Sequence, residues 1–199
     1  MFDERLRAVK ERWLDGVARP LHWLAPWQVS LLGLGMGAAA AAALAAQANG
    51  LGFLFWFLNR LFDGLDGTLA RQRGEKSDLG GYLDILFDFC TYAIIPIGLV
   101  WGRPSEAAWL SLAVLLASFY VNAASWIYLA AILEKRHQGQ NPRLTSITMP
   151  AGIIGGTETI ILFTLFILFP AYQLFLFYLL AGLVIITIGQ RLLWAIRHL

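Results

Sequence analysis

Long apolar stretches constrain this chain more than any other feature, because they recur from residue 27 almost to the last residue. A helix needs about 20 apolar residues to cross the roughly 30 Å of hydrocarbon in a bilayer. Since 58% of the residues are hydrophobic and only 14% are charged, lipid is the expected solvent. We therefore expect an all-α integral membrane protein with one six-span helix bundle over 21–199. The predicted spans are 27–48, 52–72, 79–101, 106–133, 148–169 and 171–195.

Residues 1–20 have a different pattern, in which apolar side chains recur at helical spacing and charged side chains occupy the other faces. The apolar positions are Phe2, Leu6, Val9, Trp13 and Val17. This pattern is typical of an amphipathic helix that lies in the membrane interface. A soluble helix that binds a partner is the alternative, and the nearby first span favours the interface.

The distribution of basic residues predicts the orientation in the membrane. Lys and Arg concentrate in the N-terminal segment, after the second span, after the fourth span and in the tail, whereas the opposite loops hold only Arg103. By the positive-inside rule, both termini and the loop after the second span face the cytoplasm. We expect the inner membrane of a bacterial or archaeal cell. Because the formal net charge is only +2, nucleic acid is not an expected partner.

Four aspartates stand where the second and third spans meet. Asp63 and Asp66 are three residues apart and Asp84 and Asp88 four apart, so each pair lies on one face of its helix. Ionised carboxylates near hydrocarbon are costly unless something compensates their charge. Oxygen ligands without Cys or clustered His favour Mg²⁺, Mn²⁺ or Ca²⁺ over zinc or copper. The pattern predicts one or two divalent ions, and Arg71 beside them predicts a bound phosphate.

Metal-bound carboxylates beside an arginine suit displacement at a diphosphate, where a further carboxylate can take the proton of the nucleophile. The residues that carry this chemistry resemble the signature of the CDP-alcohol phosphotransferase family at every defined position. They are Asp63-Gly64-Leu65-Asp66-Gly67-Thr68-Leu69-Ala70-Arg71, then Gly80, Asp84 and Asp88.

The resemblance implies transfer of a phosphatidyl group from CDP-diacylglycerol to a small alcohol, with release of CMP. It implies Mg²⁺ or Mn²⁺, as two ions, held by Asp63, Asp66, Asp84 and Asp88. Asp88 would also be the general base, and homodimers are usual in this family. The residues implied to contact or make room for the cytidine diphosphate portion are Gly67, Ala70, Arg71 and Gly80.

Three alternatives remain open at this point. The family also contains enzymes that transfer from CDP-choline or CDP-ethanolamine to diacylglycerol, although a compact chain resembles the CDP-diacylglycerol group. A divalent-cation transporter would also use intramembrane carboxylates, but it should carry ionisable groups through several spans. In a non-catalytic scaffold the aspartates would form salt bridges with neighbouring basic residues such as Arg60.

The acceptor is less constrained, because the predicted fifth span carries no Arg or Lys and reads Thr157-Glu158-Thr159 instead. Relatives that use phosphorylated alcohols typically add basic residues from the later spans. A phosphorylated acceptor therefore has weak support here, and a neutral polyol or an amino alcohol is favoured. Glu158 is equally interpretable as a structural partner, either of Arg60 or of a neighbouring helix. The candidate acceptor residues are Glu158, Thr157, Arg136, Arg143 and Arg191.

Two features of the first span have structural interpretations. Gly33, Gly35 and Gly37 predict a helix-packing surface, since no strand or βαβ unit surrounds them to make a dinucleotide loop. Trp27 follows Pro26 where relatives often have Asn, which favours capping or an interface anchor over a nucleotide contact.

Overall fold

The computed structural model describes residue 16 and residues 23–75, 77–137 and 152–199. Six α-helices lie within these ranges, one 3₁₀ turn spans Pro170–Tyr172, and no strand occurs in them. The helices are α1 Pro26–Ala45, α2 Asn49–Arg73, α3 Asp78–Gly102, α4 Glu106–His137, α5 Gly156–Leu168 and α6 Gln173–His198. The predicted all-α fold is confirmed for this part of the chain. The predicted interfacial helix at 1–20 lies outside it, apart from Gly16.

Within the described residues, four segments are long and apolar enough to cross a membrane, namely Pro26–Ala45, Asp78–Gly102, Glu106–Arg136 and Pro170–His198. Helix α2 has 25 residues, but its charged side chains lower its hydropathy. Helix α5 has 13 residues and would rise only about 20 Å, which is short of the hydrocarbon thickness. The count of six spans therefore stays a prediction.

The start of α5 differs from the prediction, which placed a span at 148–169. Residues 152–155 are not helical, because side chains of α6 bind their backbone amides. The amide of Ile153 donates to Gln190 Oε1 at 3.1 Å, and that of Ile154 donates to Thr187 Oγ1 at 3.1 Å. These hydrogen bonds replace those that a preceding helical turn would make, so the helix begins at Gly156.

The chain divides into two compact units, Met1–Arg103 and Pro104–Leu199. In the first unit, α1 packs against both α2 and α3. Its core includes a cluster of Val29 from α1 with Leu65 and Leu69 from α2. The buried Asn59 on α2 donates from Nδ2 to the carbonyl oxygen of Gly33 at 2.8 Å, which ties the two helices together beside this core. The motif helix α2 is thus fixed to α1 on both sides of the aspartates.

Glycines allow α1 and α3 to approach closely. A Cβ atom added to Gly98 would overlap the backbone of Ala41, and one added to Gly37 would lie 2.9 Å from Thr91 Oγ1. At Gly33 the nearest neighbour would be Phe62 Cβ at 3.3 Å. The packing role predicted for Gly33 and Gly37 is confirmed. Gly35 has no neighbour within 4 Å among the described residues, so its packing role stays a prediction.

This packing predicts opposite effects for two otherwise matched substitutions. Gly98→Ala should destabilise the protein by about 1–3 kcal/mol, because α1 must move away from α3 to accommodate the methyl group. Gly35→Ala should be neutral or stabilising, because it adds helix propensity and meets no atom. Thermal unfolding in detergent measures the stability of both variants. Equal shifts in melting temperature for the two would contradict the close contact at Gly98.

In the second unit, α4 and α6 pack along each other and α5 joins them through aromatic side chains. The rings of Phe119 and Phe163 stack with centroids 6.3 Å apart, and Phe166 meets Phe177 edge-on at 4.8 Å. Phe163 and Phe166 also contact each other, at 5.1 Å. These aromatic contacts form the core that holds the short helix α5 to its neighbours.

Candidate active site

The acidic motif lies on two consecutive helices joined by a tight connection. Helix α2 continues through the whole of residues 63–71 and ends before Gly74, which adopts a left-handed φ of 66°. Helix α3 starts after Ser77, whose Oγ accepts the amide of Gly80 at 3.1 Å. Because the connection is so short, the aspartates at the end of α2 face those at the start of α3.

All four aspartates line one small cavity of about 10 Å³, which is close to the smallest cavity that can hold one water molecule. The predicted convergence of Asp63, Asp66, Asp84 and Asp88 is therefore observed in the geometry. The polar residues that complete the wall are Ser30, Asn59, Arg60 and Thr91. Four acidic groups face one basic group, so the cavity is electronegative and attracts cations.

Two hydrogen bonds hold Asp66 in place. It is buried, and its Oδ2 accepts a hydrogen bond from Ser30 Oγ of α1 at 2.5 Å. Its Oδ1 accepts the amide of Gly67 at 2.5 Å. The sequence alone did not single out Ser30 as a partner of the motif. The position of Ser30 one turn inside α1 was the only sequence signal that could have indicated its contact with the motif.

Arg60 lies between two of the aspartates. Its Nη2 donates to Asp88 Oδ1 at 2.9 Å, and its Nη1 is 3.6 Å from Asp63 Oδ2.

Across the described ranges, no three Asp, Glu, His or Cys side chains are arranged as a ready coordination site. The donor set and the size of the cavity nevertheless fit a hard divalent cation, because carboxylate oxygens from two helices surround a space for one small particle.

A second cavity, of about 1050 Å³, adjoins the first and shares Ser30, Asp63, Asp66 and Asp84 with it. This volume is at the upper end of the range for small-molecule sites. Its wall contains all four residues predicted to contact or make room for the nucleotide, namely Gly67, Ala70, Arg71 and Gly80. Trp27 also lines it, so this side chain is available to a ligand there as well as to the membrane interface.

Arg71 is exposed and lies across the glycine-rich face of α2 towards this large cavity. Its Nη2 donates to Thr68 Oγ1 at 3.0 Å, and Thr68 Oγ1 in turn donates to the carbonyl oxygen of Gly64 at 2.9 Å. A Cβ on Gly67 would lie 3.4 Å from Arg71 Nη1. The absence of a side chain at Gly67 thus leaves room for the guanidinium, which can bind phosphate through two parallel hydrogen bonds.

The candidate acceptor residues that the structure describes belong to the second unit. Arg191 is buried, and its Nη1 donates to Asn122 Oδ1 at 2.9 Å. Arg136 donates from Nη1 to the carbonyl oxygen of His198 at 3.2 Å. Thr157 is exposed in the first turn of α5, and Arg143 lies outside the described residues. The structure therefore gives Arg191 and Arg136 partners within their own unit, and an acceptor pocket stays a prediction.

Glu158 has a structural role that neither sequence interpretation anticipated. Its Oε2 accepts the amide of Gly155 at 2.9 Å, which satisfies a free N–H group at the start of α5. Arg60, the partner considered for it, contacts Asp63 and Asp88. Helix capping thus accounts for a carboxylate at this position without a ligand.

The fold and the acidic site define a class of membrane protein that comparison with known proteins identifies. The family model for CDP-alcohol phosphatidyltransferase matches residues 23–194. The chain belongs to this family. Together with the four apolar segments, membership establishes an integral membrane protein whose motif lies on α2 and α3.

A curated relative is the Inner membrane protein YnjF of Escherichia coli (strain K12), which is 46% identical over 117 residues. The match covers 58% of this chain and 55% of YnjF, so it spans about half the length of that relative.

Two solved structures of Mycobacterium tuberculosis phosphatidylinositol phosphate synthase (PgsA1) share the fold. The structure with CDP-DAG bound has a TM-score of 0.67 at 24% identity, covering 91% of this chain and 92% of that one. The complex with manganese and citrate has a TM-score of 0.65 at 24% identity, covering 90% and 87%.

Proposed function

We propose that this protein transfers a phosphatidyl group from CDP-diacylglycerol to a small alcohol and releases CMP. One observation carries the proposal: four aspartates surround a cavity of ionic size that adjoins a larger cavity lined by Arg71 and glycines. Family membership supports the reaction class, and the CDP-DAG bound to PgsA1 supports the donor. The basic loops support a cytoplasmic site in the inner membrane. The homodimer implied by the family stays a prediction.

In this proposal the two cavities bind different groups. The large cavity takes the cytidine diphosphate portion, with Arg71 binding phosphate oxygens and the small residues Gly67, Ala70 and Gly80 leaving space for it. Asp63, Asp66, Asp84 and Asp88 would hold Mg²⁺ or Mn²⁺, which stabilises negative charge on the phosphoryl oxygens when bound. The manganese in a PgsA1 structure supports such ions.

The chemical step is a displacement at the phosphorus of the phosphatidyl group. The acceptor hydroxyl oxygen forms a bond to this phosphorus while the bond to the phosphate of CMP breaks, and the electron pair leaves with CMP. Asp88 takes the hydroxyl proton. This carboxylate is the one furthest along α3 from the connecting loop, and its Oδ2 is not bonded to Arg60, which binds Oδ1.

Incubation of the purified protein with CDP-diacylglycerol, Mg²⁺ or Mn²⁺ and a panel of alcohols tests the proposal. The panel includes phosphorylated alcohols, neutral polyols and amino alcohols. We expect CMP release with at least one acceptor, and loss of that release in EDTA. Release of CMP only from CDP-choline with diacylglycerol would assign the other donor class. No metal-dependent CMP release, together with divalent-ion uptake into proteoliposomes, would favour a transporter.

Glu158 provides a separate test of the acceptor, because Glu158→Gln should keep the cap and lose the charge. If Glu158 also contacts a cationic amino alcohol, KM for that acceptor should rise about tenfold in the variant, with little change for neutral polyols. An unchanged melting temperature confirms that the cap is intact. Unchanged acceptor preference would restrict Glu158 to helix capping.

A further inference from the structure

Arg60 is a basic side chain inside an otherwise acidic cavity, and the proposed chemistry assigns it no role. It lies on α2 one turn before Asp63, and it lines the same cavity as the four aspartates. The guanidinium contacts Asp88 at 2.9 Å and Asp63 at 3.6 Å. Arg60 thus connects an aspartate of α2 with an aspartate of α3.

The position of Arg60 is tightly determined by its other neighbours. Its Nε donates to Asn59 Oδ1 at 2.8 Å, while Asn59 Nδ2 is bound to the carbonyl oxygen of Gly33 on α1. The guanidinium carbon lies 4.9 Å from the ring centroid of Trp56 and 5.3 Å from that of Tyr92. The side chain is only 11% exposed. Direct contacts from α2 and α3, together with the link to α1 through Asn59, therefore fix the guanidinium in one place.

The charges explain why a fixed guanidinium matters here. Four carboxylates around a space of about 10 Å³ repel one another whenever no cation lies between them. Asp66 is held by hydrogen bonds from Ser30 and Gly67, but these do not restrain Asp63 or Asp88. Arg60 contacts both of the latter, so it offsets the repulsion across the gap between α2 and α3.

We propose that Arg60 is a positioning residue and a built-in counter-cation. It holds Asp63 and Asp88 together while no divalent ion is bound, and it directs Asp88 Oδ2 towards the site by binding Oδ1. The second part of this proposal rests on the proposed function, because it concerns Asp88 as proton acceptor. The first part concerns folding of the metal-free protein and needs no turnover.

Thermal unfolding with and without divalent ions tests the counter-cation role. Arg60→Gln should lower the melting temperature by roughly 5 °C in EDTA, because the carboxylates lose their internal cation. Saturating Mg²⁺ should remove more than half of this loss, since the ion then supplies the missing charge. Arg103→Gln is the matched control, because Arg103 is 3.5 Å from Asn49 Oδ1 and lines neither cavity. Its melting temperature should change equally in EDTA and Mg²⁺.

Arg60→Lys separates charge from orientation. Lysine keeps the positive charge but lacks the planar fork that binds Asp88 and Asn59 together. We expect a melting temperature in EDTA near that of the wild type, with kcat about tenfold lower and KM for the donor unchanged. This variant also provides the stability test if Arg60→Gln does not accumulate, because a loss of several degrees in EDTA despite the retained positive charge would overturn the counter-cation role.

The outcomes of these experiments separately test the counter-cation role, the orientation of Asp88 and the proposed function. The same loss of melting temperature for Arg60→Gln in EDTA and in Mg²⁺ would make Arg60 an ordinary packing residue. A wild-type kcat in Arg60→Lys would overturn the orientation of Asp88. Absence of CMP release by the wild-type protein would refute the proposed function, while the melting temperatures would still decide the counter-cation role.

Discussion

Replacement of Asp88 by Asn should lower CMP release by about 10³-fold while CDP-diacylglycerol still binds. The amide has nearly the shape of the carboxylate but cannot take the proton of the acceptor hydroxyl. In the wild-type protein Arg60 donates to Asp88 Oδ1 at 2.9 Å, and the remaining oxygen of the amide can still accept this hydrogen bond. Single-turnover CMP release measures the chemical step, and binding of radiolabelled donor measures affinity.

Asp78→Asn is the matched control for this variant. Asp78 is exposed in the first turn of the same helix and lines neither cavity, so its replacement should leave turnover within about twofold of the wild type. Near-normal turnover in Asp88→Asn would assign the proton acceptor elsewhere. A loss of donor binding equal to the loss of turnover would instead indicate that Asp88 holds the site together.

Replacement of Asp63 or Asp66 by Asn should affect the metal first. An amide is a weaker ligand for a hard cation, so turnover at low Mg²⁺ should fall at least about 10²-fold. The Mg²⁺ concentration for half-maximal activity should rise about 10–100-fold, and raised Mg²⁺ should recover part of the activity. Asp66→Asn should be the less tolerated, because Asp66 accepts hydrogen bonds from Ser30 and Gly67 that fix its carboxylate.

The response to Mg²⁺ separates these variants from Asp88→Asn. High Mg²⁺ should not rescue Asp88→Asn, because the added ion does not replace the proton acceptor. A titration of activity against Mg²⁺ for all three variants makes the comparison. If Mg²⁺ dependence is unchanged in Asp63→Asn and Asp66→Asn, these aspartates are not metal ligands and the acidic cavity needs another explanation.

The acid hairpin was predictable because its signal is local. Spacings of three and four residues put each aspartate pair on one helix face whatever the surroundings, and a short connection forces neighbouring helices to meet. The family resemblance, and not the spacing, implied that Gly67, Ala70, Arg71 and Gly80 contact or make room for the nucleotide, and all four line the larger cavity. Apolar stretches located the helices equally well, since α1, α3 and α4 start within one residue of their predicted positions.

Predictions that needed a partner from elsewhere in the chain were less complete. Glu158 is a different case, because its carboxylate binds the amide of Gly155 only three residues away, a local capping contact that the ligand interpretation overlooked. The predicted fifth span begins at Gly156 because Thr187 and Gln190 of α6 bind the preceding backbone amides. Neither partner is near these residues in sequence, so no periodic pattern could indicate the contact.

The sequence by itself determined the helical class, the membrane as solvent, and the two helix faces that carry the aspartates. These properties follow from hydropathy and from the 3.6-residue repeat, which act over a single helix. Only the tertiary structure decided that Ser30 binds Asp66 and that Arg60 joins Asp63 to Asp88. Such contacts depend on how closely the helices approach and in what register, and side-chain packing sets both.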